Sequence, residues 1–111
     1  MNIRELMSEI INNGGFTVNN RLDKPDNLKY IVSYNGGIKF DIKELSNIKL
    51  IDGFLSLNIN EKSLFGAWLD DNYVYLDKSV NFTNKQKALK FAKEQEQLAI
   101  YDAIKQESIY L

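Results

Sequence analysis

The run from Phe65 to Asp102, FGAWLDDNYVYLDKSVNFTNKQKALKFAKEQEQLAIYD, constrains the fold of this chain more than any other stretch. It reads as a strand, a tight turn, a second strand, a helix and a final strand. Trp68-Leu69 and Tyr73-Val74-Tyr75-Leu76 are aromatic, aliphatic or β-branched, the types that fit a pleated, half-buried surface. Asp70-Asp71-Asn72 separates them with residues that tolerate turn and left-handed conformations. Period-two alternation places Tyr73, Tyr75 and Asp77 on one face of the second strand and Val74 and Leu76 on the other. Thr83 is the expected helix N-cap, with Gln86 three residues on closing a capping box. Ala88, Phe91, Ala92 and Gln95 then share one helical stripe, beside Leu89, with the lysines largely outside it.

The segments before this run alternate between helix and strand signals. Ile3, Leu6, Met7, Ile10 and Ile11 follow helical spacing, Asn2 and Glu5 form a capping pair, and Gly14-Gly15 ends the helix. Phe16-Thr17-Val18 begins a strand, and Asn19 to Asn27 is a surface loop. Leu28, Tyr30, Val32 and Tyr34 alternate with polar or smaller neighbours, and Ile38, Phe40 and Ile42 do the same after Asn35-Gly36-Gly37. That tripeptide is a hairpin signal, so the two runs are expected to pair antiparallel with one wet face. Residues 43 to 64 carry both a turn signal at Asp52-Gly53 and helix-like spacings at Ile48, Ile51, Leu55 and Ile59; the reading leans toward a helical or irregular connector. Leu98 to Tyr101 either extends the preceding helix or forms a short edge strand followed by Ser108 to Leu111. The expected fold is therefore α+β: a single domain over residues 1 to 111, with a small mixed or antiparallel sheet. An N-terminal helix and a C-terminal helix are expected to pack on one face of it.

Composition narrows the chemistry. The chain of 111 residues has no cysteine and no histidine. The first absence rules out disulfides and thiolate catalysis; the second removes the commonest general base and metal ligand. A formal net charge of −1 lacks the basic excess of a duplex-binding module. No run approaches the roughly 18 apolar residues of a membrane span, so a soluble protein of the cytoplasm is expected, with no cofactor. Lysine outnumbers arginine twelve to two, with abundant asparagine and isoleucine, a usage typical of A+T-rich genomes such as those of low-G+C bacteria and their phages.

Candidate sites are few. Asp70, Asp71 and Asp77 lack the spacing of a calcium loop, and the first two are more simply turn residues. The serines have no base beside them, and the glycine pairs have no phosphate-loop signature. Tyr30 and Tyr34 share a face with Leu28 and Val32, which makes them core and not a base-stacking platform. Tyr73 and Tyr75, facing away from Val74 and Leu76, combine with Asp70 and Asp71 into an acidic–aromatic patch suited to a basic partner. An exposed edge at Ala99 to Tyr101 or at Ser108 to Leu111 offers a route to a homodimer.

Two resemblances extend this reading. Phe65 to Asp71, Val74-Tyr75-Leu76-Asp77, the helix after it and Gln97 to Asp102 together resemble a small α+β domain of phages, prophages and mobile elements. That resemblance implies a strand at Ala99 to Asp102 and carries no agreed activity. Met1-Asn2-Ile3, Leu6, Glu9-Ile10 and Thr17-Val18 resemble the opening of Listeria-phage anti-CRISPR proteins that inhibit Cas9. Those inhibitors are more acidic than this chain, and no binding residues carry over. The resemblances imply a non-enzymatic accessory protein of a phage or mobile element. Its partner would be a host protein, such as a CRISPR–Cas effector; the alternative is a small nucleic-acid-binding or regulatory protein.

Overall fold

The sheet assembles around its longest strand. The computed structural model describes residues Met1–Leu111. Seven strands run in chain order as β1 (Gly15–Val18), β2 (Tyr30–Ser33), β3 (Ile38–Asp41), β4 (Leu64–Asp70), β5 (Tyr73–Phe82), β6 (Ala99–Asp102) and β7 (Glu107–Tyr110). The helices are α1 (Ile3–Asn13), α2 (Asn47–Ser56) and α3 (Lys85–Glu94). The strand order is β1-β4-β5-β2-β6-β7, with β3 also on β5, and every pairing is antiparallel. None of the helices is long and apolar enough to cross a membrane.

One edge of β5 pairs with β4 from Asp70↔Tyr73 to Leu64↔Ser79, closing the expected hairpin with Asp71 at φ +56. Its other edge is shared by two strands. Tyr30 to Ser33 oppose Phe82 to Ser79, and Ile38 to Asp41 oppose Leu76 to Tyr73. Strands β2 and β3 therefore follow one another along β5, and the expected β2–β3 hairpin does not form. Residues 34 to 37 bulge out opposite Asp77 and Lys78, with Tyr34 N still donating to Lys78 O at 2.8 Å. The positive φ that Gly36 supplies for a tight turn serves a bulge equally well. A ten-residue strand offers enough edge for both runs, and that long-range pairing overrides the local turn signal.

Helix caps follow from short polar residues. Asn2 Oδ1 accepts from Glu5 N at 2.9 Å while Glu5 Oε1 accepts from Asn2 N at 3.1 Å, the capping box expected of α1. Gly14 ends the helix at φ +84. The cap of α3 is Asn84 instead of Thr83, its Oδ1 accepting from Lys87 N at 3.0 Å. Because β5 continues to Phe82, the chain turns one residue later, and asparagine is the stronger cap. Nor is α3 the last element, since β6 and β7 follow it as a hairpin. The connector at 43 to 64 holds α2, capped by Ser46 Oγ on Lys49 N. Gly53 lies where this helix meets the sheet: a β-carbon there would run into the Leu76 side chain, which explains a glycine in mid-helix.

Two apolar clusters lie on the same side of the sheet. The larger packs Leu6, Ile10 and Leu50 of the first two helices on Val18, Phe40, Phe65, Ala67, Val74 and Leu76. The smaller packs Ala88 and Ala92 of α3 on Val32 and Ile100, the alanines letting the helix approach closely. Directly opposed residues share a face. Phe40 and Leu69 oppose Val74, Ala67 and Ile38 oppose Leu76, and Val32 opposes Val80, all even-numbered positions of an unbroken β5. All three helices therefore cover one face, as expected. Strand β6 is paired on both sides by β2 and β7, so only β7 offers an edge at that end.

Candidate functional site on the open face of the sheet

The odd-numbered side chains of β5 stand on the uncovered face. Tyr75 opposes Trp68 on β4 and Lys39 on β3, and Trp68 in turn opposes Gly15 on β1. The Trp68 and Tyr75 rings stack at 4.2 Å with planes 11° apart. Lys39 Nζ lies 4.2 Å from the centre of the Tyr73 ring and 5.5 Å from that of Tyr75. Trp68 remains 46% exposed and Tyr73 41%, so the face presents two large aromatic side chains to solvent.

The four residues of the expected patch do lie together at this end. Asp70 opposes Tyr73 in register, Tyr75 is next along the same face, and Asp71 occupies the turn. Lys39 was not part of that expectation. It comes from β3, whose place beside β5 was hidden by the hairpin signal, and it places a cation over both tyrosines. Trp68 was also missed as a site residue, although its alternation with Leu69 and its position opposite Tyr75 follow from the hairpin register.

Two residues farther along β5, the face becomes polar. Asp77 opposes Gly66, and Ser33 Oγ donates to Asp77 Oδ2 at 3.2 Å. A β-carbon on Gly66 would collide with Asp77 Oδ1, so the glycine makes room for the carboxyl to lean over β4. Oδ1 accepts no hydrogen bond, yet no fully buried polar side-chain atom lacks a partner; Oδ1 therefore reaches the water of the cleft. Burial pushes the Asp77 carboxyl above its ordinary pKa, and the Ser33 hydrogen bond only partly opposes this. Neither of the chain's salt bridges involves it. Asp70, Asp71 and Asp77 do not converge as a ligand set.

The sheet curls so that both its ends wall the same cleft, of about 720 Å³. Thr17 stands on the β1 side, Tyr101 and Ser108 on the β6–β7 side, and Asp77 and Trp68 between them. Asp102 fixes the β6–β7 turn by accepting from Ile104 N at 3.1 Å and Lys105 N at 3.0 Å. A second apolar surface lies on the outer side of α2, where Ile48 is 70% and Leu55 64% exposed.

The raised carboxyl carries a prediction with a definite sign. With the folded pKa above the unfolded one, the folded chain retains a proton that the unfolded chain has released. Stability therefore falls as pH rises between the two values and stays lower above them. Asp77→Asn is expected to raise the melting temperature at neutral pH, with the gain shrinking as pH drops through the carboxylate range. Thermal melts of both proteins across that range check this; parallel curves contradict it. No protein-family model matches the chain, and no curated protein or solved structure matches it either.

Proposed function

We propose that this chain is a non-enzymatic accessory protein of a phage or mobile element that binds a host protein through the open face of its sheet. The host protein on this reading belongs to a defence system such as CRISPR–Cas. One observation carries the binding face: all three helices pack on one side, leaving an uncovered cleft lined by exposed Trp68, with exposed Tyr73 farther along the same face beyond the Trp68–Tyr75 stack. Large aromatics beside polar groups are the residue types that anchor protein interfaces. The two sequence resemblances support the source and the class of partner.

The cleft's polar side chains are the Asp77 carboxyl, the Asn13 amide, the Trp68 indole N–H and hydroxyls, and the chain has no imidazole or thiol to add to them. Asp41 and Asp70 flank Tyr73, and Asp77 lies in the cleft, an arrangement that repels a phosphate backbone and disfavours nucleic acid as partner. Self-association through β7 is a separate expectation, and sedimentation across a range of concentrations measures it.

A cleavage assay tests the reading. Adding the protein to a Cas9–guide RNA complex before target DNA is expected to slow cleavage. A Trp68→Ala, Tyr73→Ala variant with an unchanged circular dichroism spectrum is expected to lose about 10-fold or more in potency. Undiminished cleavage at saturating protein removes Cas9 as the target; equal potency of the variant removes the open face.

A further inference from the structure

We infer that the cleft receives an arginine side chain of the partner protein, its guanidinium held between the Trp68 ring and the Asp77 carboxyl; this rests on the open face being the binding surface. The Trp68 ring uses one side to stack on Tyr75. Its other side turns toward β1, where the opposing residue, Gly15, packs backbone to backbone on β4 and has no side chain to lay over the ring. Two residues back along β4, the place of a β-carbon on Gly66 is taken by the Asp77 carboxyl, which leans over it from β5. Gly15, Gly66, Trp68 and Asp77 all line the cleft, which here forms a notch with an aromatic wall at one end and a carboxyl at the other. Thr17, opposite Gly66, closes the β1 side.

The charge in this notch is uncompensated. Asp77 Oδ2 takes the Ser33 hydroxyl, Oδ1 is open to the cleft, and no cation of the chain pairs with it. Lys39, the nearest cation in register on this face, is placed over the tyrosines on the far side of the Trp68–Tyr75 stack. A guanidinium satisfies both walls at once. It is planar and stacks on an indole, and its N–H fork matches a carboxylate, whereas a lysine ammonium offers only a point charge. An apolar side chain would leave the carboxyl unpaired and more deeply buried.

The single tryptophan makes the test direct, since all indole fluorescence comes from Trp68. The full chain is titrated with three capped tripeptides, glycine-X-glycine, in which X is arginine, lysine or citrulline. The arginine peptide is expected to give a saturable change, and the lysine peptide to bind about 10-fold more weakly. Citrulline, which has the same shape without the charge, is expected to give none. Asp77→Asn, with an unchanged circular dichroism spectrum, is expected to weaken the arginine peptide about 10-fold or more. Citrulline matching arginine, the lack of any saturable change with arginine, or full affinity in Asp77→Asn each overturns the inference. The peptide series needs no variant to fold, so it stands by itself. Should the peptides fail while Trp68→Ala still abolishes partner capture, the arginine site falls and the binding face remains. Should the arginine peptide bind while Trp68→Ala leaves partner capture intact, both the partner's arginine and the binding face fall.

Discussion

Phe65→Ala is expected to lower the unfolding free energy by about 3–5 kcal/mol, the range for removing a fully buried phenylalanine. Phe65 has no exposed surface. Its ring meets Phe16 of β1 edge-on at 5.4 Å and Phe54 of α2 at 5.5 Å, so one side chain ties together two strands and a helix. The surrounding Leu6, Ile10 and Leu50 belong to helices whose caps hold their ends, and they cannot collapse freely into the space left. Set against a total stability of about 5–15 kcal/mol for a domain of ordinary size, this loss is a large share of the whole. Urea denaturation with an unchanged slope checks the value; a loss below about 1 kcal/mol contradicts the packing described.

Gly15→Ala is the second large effect, expected to cost about 3 kcal/mol or more. A β-carbon at Gly15 would collide with the Ala67 carbonyl oxygen and come within 2.9 Å of Trp68 Cα. Both are backbone, so no rotamer change relieves the contact, and β1 has to move away from β4. The neighbouring Gly14 supplies an internal control. It has φ +84, and nothing lies within 4 Å of the place a β-carbon would take, so Gly14→Ala bears only the cost of the left-handed conformation, about 1 kcal/mol. Melting curves of the two variants are expected to rank Gly15→Ala well below Gly14→Ala. Equal losses would contradict the close approach of β1 to β4, which forms one wall of the cleft.

Local chemistry explains what the sequence made legible. The capping box of α1, its glycine stop, the β4–β5 turn and the faces of Tyr73, Tyr75, Val74 and Leu76 depend on residues within a few positions of one another. Of the two readings open at Leu98 to Tyr101, the strand is the one that forms, at Ala99 to Asp102. What stayed hidden depends on distant partners. Asn35-Gly36-Gly37 signals a reversal, but β5, some forty residues later, captures both flanking runs and turns that signal into a bulge. Asp77 read as the third member of an acidic group without ligand spacing, because its enclosure depends on the curl of the sheet and on the room left by Gly66. The cleft was illegible for the same reason: its walls come from β1 and from β6–β7, at opposite ends of both the sheet and the chain.

On the proposed function, the open face, and not the helical face, meets the partner. The most direct test is a capture experiment with three baits from lysate of a low-G+C host carrying its defence systems, read by quantitative mass spectrometry. The baits are the unaltered chain, a Trp68→Ala, Tyr73→Ala variant, and an Ile48→Ser, Leu55→Ser variant that removes the exposed apolar side chains of α2. One stoichiometric host protein is expected on the first and third baits, reduced about 10-fold or more on the second. A partner that survives the open-face changes and is lost with those on α2 would contradict the claim.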